Sequence, residues 1–95
     1  MSQAELKRQR DAILVIARKY GASRLRVFGS MARGDESPGS DIDLLVELQP
    51  GRTLFDLGGL GAELENLLGA RVDVVTESGL EPEVRRRVIA EAIAL

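Results

Sequence analysis

The chain contains no cysteine and no histidine. No disulfide framework can form, and the usual sulfur and nitrogen ligands of zinc are missing, so any bound metal has to be held by oxygen. Aromatic residues are nearly absent, with two Phe and one Tyr, and the core must therefore be aliphatic. No stretch approaches the roughly 20 apolar residues that cross a bilayer, and Met1 to Gly21 is charged throughout without an apolar leader segment. A membrane role is not expected, and the cytoplasm is the default compartment. A strongly basic balance is missing too. With a net charge of -2, a counterion-releasing grip on nucleic acid is not expected.

What remains is an ordinary globular composition, 44% hydrophobic and 29% charged. A length of 95 residues encloses one hydrophobic core but not two, so residues 1–95 are expected to form a single domain. The basic residues are eleven Arg against Lys7 and Lys19, a bias that suits bidentate contact with phosphate or carboxylate.

Apolar positions at Leu6, Ile13, Ile16, Ala17 and Tyr20 predict a helix from Ala4 to Tyr20, stopped by Gly21. Leu25 to Phe28 reads as a short strand that ends in a tight turn at Gly29-Ser30. Gly34 to Ser40, with its glycines, proline and serines, reads as a loop. Asp41 to Glu47 begins by alternating and then turns continuously apolar, as expected of a central strand whose first residues reach a cleft. Thr53 and Asp56 resemble a capping box for a Leu-rich helix ending at Gly69, although Gly58, Gly59 and Gly61 weaken its first turn. Val72 to Val75 makes a third strand, and Pro82 opens a last helix from about Glu81 to Ala94. The short link between the first two strands predicts an antiparallel pair, and the Leu-rich helix predicts a parallel crossover. The expected architecture is α/β, a small mixed sheet flanked by helices.

Asp41 and Asp43 are two apart on a strand, so both carboxylates leave one face. Like charges held close together in an apolar strand are costly unless a cation sits between them. Mg²⁺ prefers oxygen and is commonly held by one or two carboxylates plus substrate phosphates. Asp73, the one acid in an apolar run, is a candidate third carboxylate. Three such groups suit a two-metal site for phosphoryl or nucleotidyl transfer, with Asp73 the candidate general base. Gly29 allows backbone amides close to an anion, Ser30 adds a hydroxyl, and Arg33 offers a fork of donors, so these three are candidate triphosphate contacts. Gly-Ser alone is usually a turn. The full pattern of Gly-Ser, ten residues, Asp-x-Asp arises by chance in roughly one chain in a thousand of this length, at ~5 to 7% per residue type. Arg85, Arg86 and Arg87 are expected to be a solvated or partner-facing surface, and Val88, Ile89, Ile93 and Leu95 hint at an apolar partner surface and an oligomer.

At these residues the chain resembles the minimal nucleotidyltransferase (MNT) family of the DNA polymerase β-like superfamily. The resemblance rests on Val27-Phe-Gly-Ser-Met-Ala-Arg-Gly34, on Ser40-Asp-Ile-Asp-Leu-Leu-Val46, on Arg71-Val-Asp-Val-Val-Thr76 and on the closing Val88 to Ala94. It implies a nucleotidyltransferase fold with Asp41 and Asp43 as metal ligands, Asp73 as third carboxylate, and Gly29 and Ser30 at the triphosphate of ATP. It further implies an antitoxin that transfers AMP to a hydroxyl of a HEPN-domain ribonuclease toxin. Two alternatives stand beside this: a module that masks the HEPN partner by contact alone, and a small-molecule (antibiotic) nucleotidyltransferase, which at this length lacks an acceptor domain.

Overall fold

Ser2 begins the first helix by accepting a hydrogen bond from the Glu5 amide at 3.2 Å. The computed structural model describes residues 1–35, 39 and 41–95. The long N-terminal helix expected from periodicity is two helices, α1 (Gln3–Arg8) and α2 (Arg10–Lys19). They part at Gln9, which leaves the helical region at φ -91, ψ 5. The side-chain amide of Gln3 donates to the Met31 carbonyl and so ties α1 to the segment after the first strand.

Four strands form one sheet in the order β3-β2-β1-β4. Strand β1 (Ala22–Phe28) pairs antiparallel with β2 (Ile42–Leu48), and β2 pairs parallel with β3 (Val72–Val75). The antiparallel link and the parallel crossover through α4 (Leu54–Leu68) are both as the sequence predicts. Strand β1 starts at Ala22, earlier than its pattern indicates, because a bulge between Ser23 and Arg26 shifts the register. Arg24 takes φ 48 there. The bulge puts Ala22, Leu25 and Val27 on one face and turns Arg26 and Phe28 to the other, which breaks the period of two that identifies a strand.

The last helix, α5 (Pro82–Glu91), stops short of the expected Ala94. Ala92 is extended at φ -66, ψ 137, and β4 (Ile93–Ala94) pairs antiparallel with β1. The Leu95 amide donates to the Leu25 carbonyl at 3.1 Å. Pairing with the free edge of β1 satisfies backbone groups on both segments, which helical periodicity in a short tail cannot anticipate.

The main core lies on the sheet face covered by α2 and α4, where Ile13, Ala17, Val27, Ile42, Leu44, Val46, Leu60 and Leu64 are buried together. Leu45 points to the opposite face and is also fully buried, as is most of Val88 on α5. The continuous apolar run of β2 thus matches its central position with cover on both faces. Val88 is core and not partner surface; of the apolar residues expected there, Ile89 and Ile93 stay about 40% exposed.

The capping box of α4 is present: the Phe55 amide donates to Thr53 Oγ1 at 3.2 Å and the Thr53 amide to Asp56 Oδ2 at 2.8 Å. Its glycines do not interrupt the helix, which is continuous from Leu54 to Leu68. A side chain at Gly59 would meet the Tyr20 ring, and one at Gly61 would lie 3.6 Å from the Val72 carbonyl oxygen, so the small residues admit α2 and β3 closely. Between β1 and β2, Ser30 to Arg33 form a one-turn helix, α3, where the sequence suggests only a tight turn. The predicted loop from Gly34 to Ser40 falls largely on residues 36–38 and 40, outside the described residues. Among the described residues no helix is long and apolar enough to cross a membrane.

Candidate active site

Sheet register builds the site. Asp43, on the central strand, lies opposite Asp73 in the parallel ladder with β3 and opposite Phe28 in the antiparallel ladder with β1. Directly opposed residues of neighbouring strands share a face, so Asp43 and Asp73 are adjacent, with Asp41 two residues along on the same side. Asp41 lies 4.0 Å from the Arg71 guanidinium, and that contact is largely exposed to water.

Gly29 closes the other side. It follows Phe28 at φ 75, ψ -152, a combination that is essentially glycine-only. A Cβ there would run into the Asp43 carboxylate. Glycine is therefore required twice, for the backbone turn and for the close approach of the main chain to Asp43. Its carbonyl accepts from the amides of Ala32 and Arg33, each at 3.1 Å, which starts α3 at Ser30, the residue directly after the glycine that abuts Asp43.

Asp43 bears the electrostatic cost of this arrangement. Burial pushes its carboxyl above the ordinary range, and the negative charges of Asp73, Asp41 and Glu91 push in the same direction against a smaller opposing pull from Arg33. A site that resists its own ionisation is one that a cation would stabilise. Among the described residues no three acidic side chains converge into a ready-made metal cage. The donors nevertheless fit Mg²⁺, because that ion commonly takes only one or two protein carboxylates and completes its shell with substrate phosphates and water. Asp43, with Asp41 or Asp73, can supply hard oxygen ligands of that kind.

One participant has no signature in the sequence. Glu91, at the end of α5, accepts from the Gly29 amide through Oε1 at 2.7 Å and from Arg33 Nη1 through Oε2 at 3.3 Å. It sits 62 residues from Gly29 in sequence on an unremarkable stretch of helix, so no local pattern marks it. Arg33, a candidate triphosphate contact, is engaged by Glu91 and also by Asp35 at 3.3 Å. Arg85 departs from its expected surface role. It is half-buried and donates to the carbonyls of Glu77 at 2.8 Å and Leu80 at 3.0 Å, holding the turn before α5, while Arg86 and Arg87 are exposed as expected.

A family model described as the nucleotidyltransferase domain matches residues 10–95. A protein of Methanocaldococcus jannaschii named for protein adenylyltransferase activity is 42% identical over 93 residues, covering 98% of this chain and 97% of its own. The protein adenylyltransferase MntA of Thermococcus cleftensis is 36% identical over 75 residues, covering 79% and 76%. A solved structure of a minimal nucleotidyltransferase superposes with a TM-score of 0.88 at 49% identity, covering 100% of this chain and 97% of that one. A toxin-antitoxin structure with AMP-PNP shares the fold, with a TM-score of 0.76 at 21% identity over 88% of this chain and 69% of that one. With Gly29 set against Asp43 and Asp43 paired with Asp73 in this fold, the chain belongs to the nucleotidyltransferase domain family, among its minimal nucleotidyltransferases, and is a nucleotidyltransferase.

Proposed function

We propose that the protein transfers AMP from Mg·ATP to a hydroxyl of a partner protein, and that the partner is a HEPN-domain ribonuclease toxin which the modification neutralises. The observation that carries this reading is the facing pair Asp43 and Asp73 beside the Gly29 corner. It provides a concentrated negative site next to a backbone shaped for anion approach, which suits a triphosphate that arrives with its cation. A protein acceptor is supported by the names of the relatives from Methanocaldococcus jannaschii and Thermococcus cleftensis, both protein adenylyltransferases. An antitoxin role is supported by the fold shared with the toxin-antitoxin complex.

In this reading Gly29, Ser30 and Arg33 contact the β- and γ-phosphates, and Asp41 and Asp43, with Asp73, are the metal ligands. Asp73 accepts the proton of the acceptor hydroxyl. The oxygen so freed attacks the α-phosphorus, the bond from that phosphorus to the bridging oxygen breaks, and pyrophosphate leaves. Bound Mg²⁺ supplies charge neutralisation and polarises phosphate oxygens. The catalytic roles of Asp41, Asp43 and Asp73 are part of this proposal.

The test is incubation of the protein with Mg²⁺, ATP labelled at the α-phosphate and a lysate of its source, with Asp43→Asn in parallel. A labelled protein band that requires the unaltered site establishes AMP transfer, and its identity names the acceptor. A toxin neutralised equally by both proteins, with no label in either lane, would replace transfer by masking through contact.

A further inference from the structure

Two of the donors assigned to the triphosphate, the Gly29 amide and the Arg33 guanidinium, are both taken by one carboxylate of the chain itself. Glu91 divides its oxygens between them, at 2.7 Å and 3.3 Å. An anion with two oxygens, one on a backbone amide held by a positive-φ glycine and one on an arginine, meets the same requirement as two non-bridging oxygens of a phosphate. Glu91 does so although its charge adds to the repulsion on Asp43.

We propose that Glu91 is an intramolecular stand-in for a phosphate, which fills the Gly29–Arg33 notch in the nucleotide-free protein and must be displaced when the triphosphate binds. The inference rests on the reading that Gly29 and Arg33 contact the triphosphate. A single amide hydrogen cannot fully serve both anions, so the two states exclude each other. Nucleotide affinity is then reduced by the fraction of molecules in which Glu91 holds the notch. Displacement is local. The Glu91 side chain is about one-third exposed and belongs to the last residue of α5, so a change of side-chain rotamer releases both donors without unwinding the helix. The benefit is a site that keeps its anion-binding groups ordered and satisfied while empty, and that rejects weak anions which cannot outcompete a tethered carboxylate.

The experiment measures binding of Mg·AMP-PNP, and separately of inorganic triphosphate, by calorimetry to the unaltered protein and to Glu91→Gln, Glu91→Ala and Glu83→Gln. Glu83 is exposed in the first turn of the same helix, so its variant controls for the loss of one negative charge. The Glu91 variants are expected to bind both probes about threefold to tenfold more tightly, the range for losing one partly exposed charge-assisted contact, with Glu83→Gln unchanged. In parallel, the Gly29 amide resonance of the nitrogen-15-labelled protein is expected to move on Glu91→Ala, and on adding triphosphate to the unaltered protein. Equal or weaker binding by the Glu91 variants, with normal binding by the unaltered protein, overturns the inference and leaves the functional reading standing. Failure of every variant to bind either probe overturns both. A threefold gain shared by Glu83→Gln also overturns it, since long-range charge would then be the cause.

Discussion

Replacing Asp43 by Asn should stabilise the protein in the absence of divalent metal. Asp43 lies directly opposite Asp73, with Asp41 two residues away on the same face, and its carboxyl is raised by burial first and by those neighbours next. Opposed like charges on adjacent strands cost roughly 0.2 to 1 kcal/mol. With partial burial of Asp43 added, the expected gain for Asp43→Asn is about 1 kcal/mol at pH 7. For a domain of this size that corresponds to a rise in Tm of about 4 to 8 °C. A carboxyl whose folded pKa is raised holds its proton more tightly in the native state, so folding loses stability as pH climbs from the ordinary carboxylate range through the raised value. The unaltered protein is therefore penalised at pH 7, and the gap between it and the Asn variant should shrink as pH falls through that range. Thermal melts followed by circular dichroism in EDTA, from pH 4 to 8, measure both effects. Saturating Mg²⁺ should raise the Tm of the unaltered protein and leave Asp43→Asn nearly unmoved. An Asn variant that melts at or below the unaltered protein in EDTA at pH 7 would refute the claim that like-charge repulsion is held in this site.

Other expectations concern single contacts. Gly29→Ala should lower stability by about 2 kcal/mol, read by urea denaturation, and should abolish nucleotide binding in whatever fraction folds, because its Cβ collides with Asp43. Asp73→Asn should weaken binding of Mg·AMP-PNP less than Asp43→Asn does, because Asp41 and Asp43 still hold the ion, while AMP transfer falls at least a hundredfold in the α-labelled assay, as expected for loss of a general base. Thr53→Ala removes one half of the α4 capping box and should cost about 1 kcal/mol in the same urea titration, without altering transfer. Glu77 is held below the ordinary glutamate range by its hydrogen bond to Arg26, at 2.9 Å. Its contribution is present above that ordinary range and is lost as pH falls through the lowered value. Glu77→Gln should melt lower than the unaltered protein at pH 7 and converge with it in acid; parallel melting curves at all pH values would contradict this.

The parts of the fold legible in sequence were those in which a local pattern and the tertiary role agree. The β2 run, the Thr53–Asp56 box and Pro82 at the start of α5 each carry a chemical signal read within a few residues, and each stands where expected. The elements that differed depend on distant partners. Strand β1 is longer because β2 recruits Ala22 and Ser23, and β4 exists because β1 offers an edge. The site divides the same way. Gly29, Asp41 and Asp43 follow from spacing on one loop and one strand, and Asp73 joins them through the parallel register. Glu91 is brought in only by the packing of α5, and nothing in its own neighbourhood distinguishes it from the other solvent-facing acids.

The bulge at Arg24 has a consequence for how chain length can vary. Downstream of it, Arg26, Val27 and Phe28 are locked by their partners Leu45, Leu44 and Asp43, and upstream Ala22 is locked into the helical side of the sheet. The extra residue lets these two halves of one strand keep different phases. Loss or gain of a single residue at this point would be absorbed between Gly21 and Leu25, with the chain resuming its count before Phe28 delivers Gly29 to the carboxylates. The same change one turn later, between Phe28 and Ser30, has no such slack and would rotate the anion notch away from Asp43. Variation in length should therefore be permitted at the start of this strand and forbidden at its end.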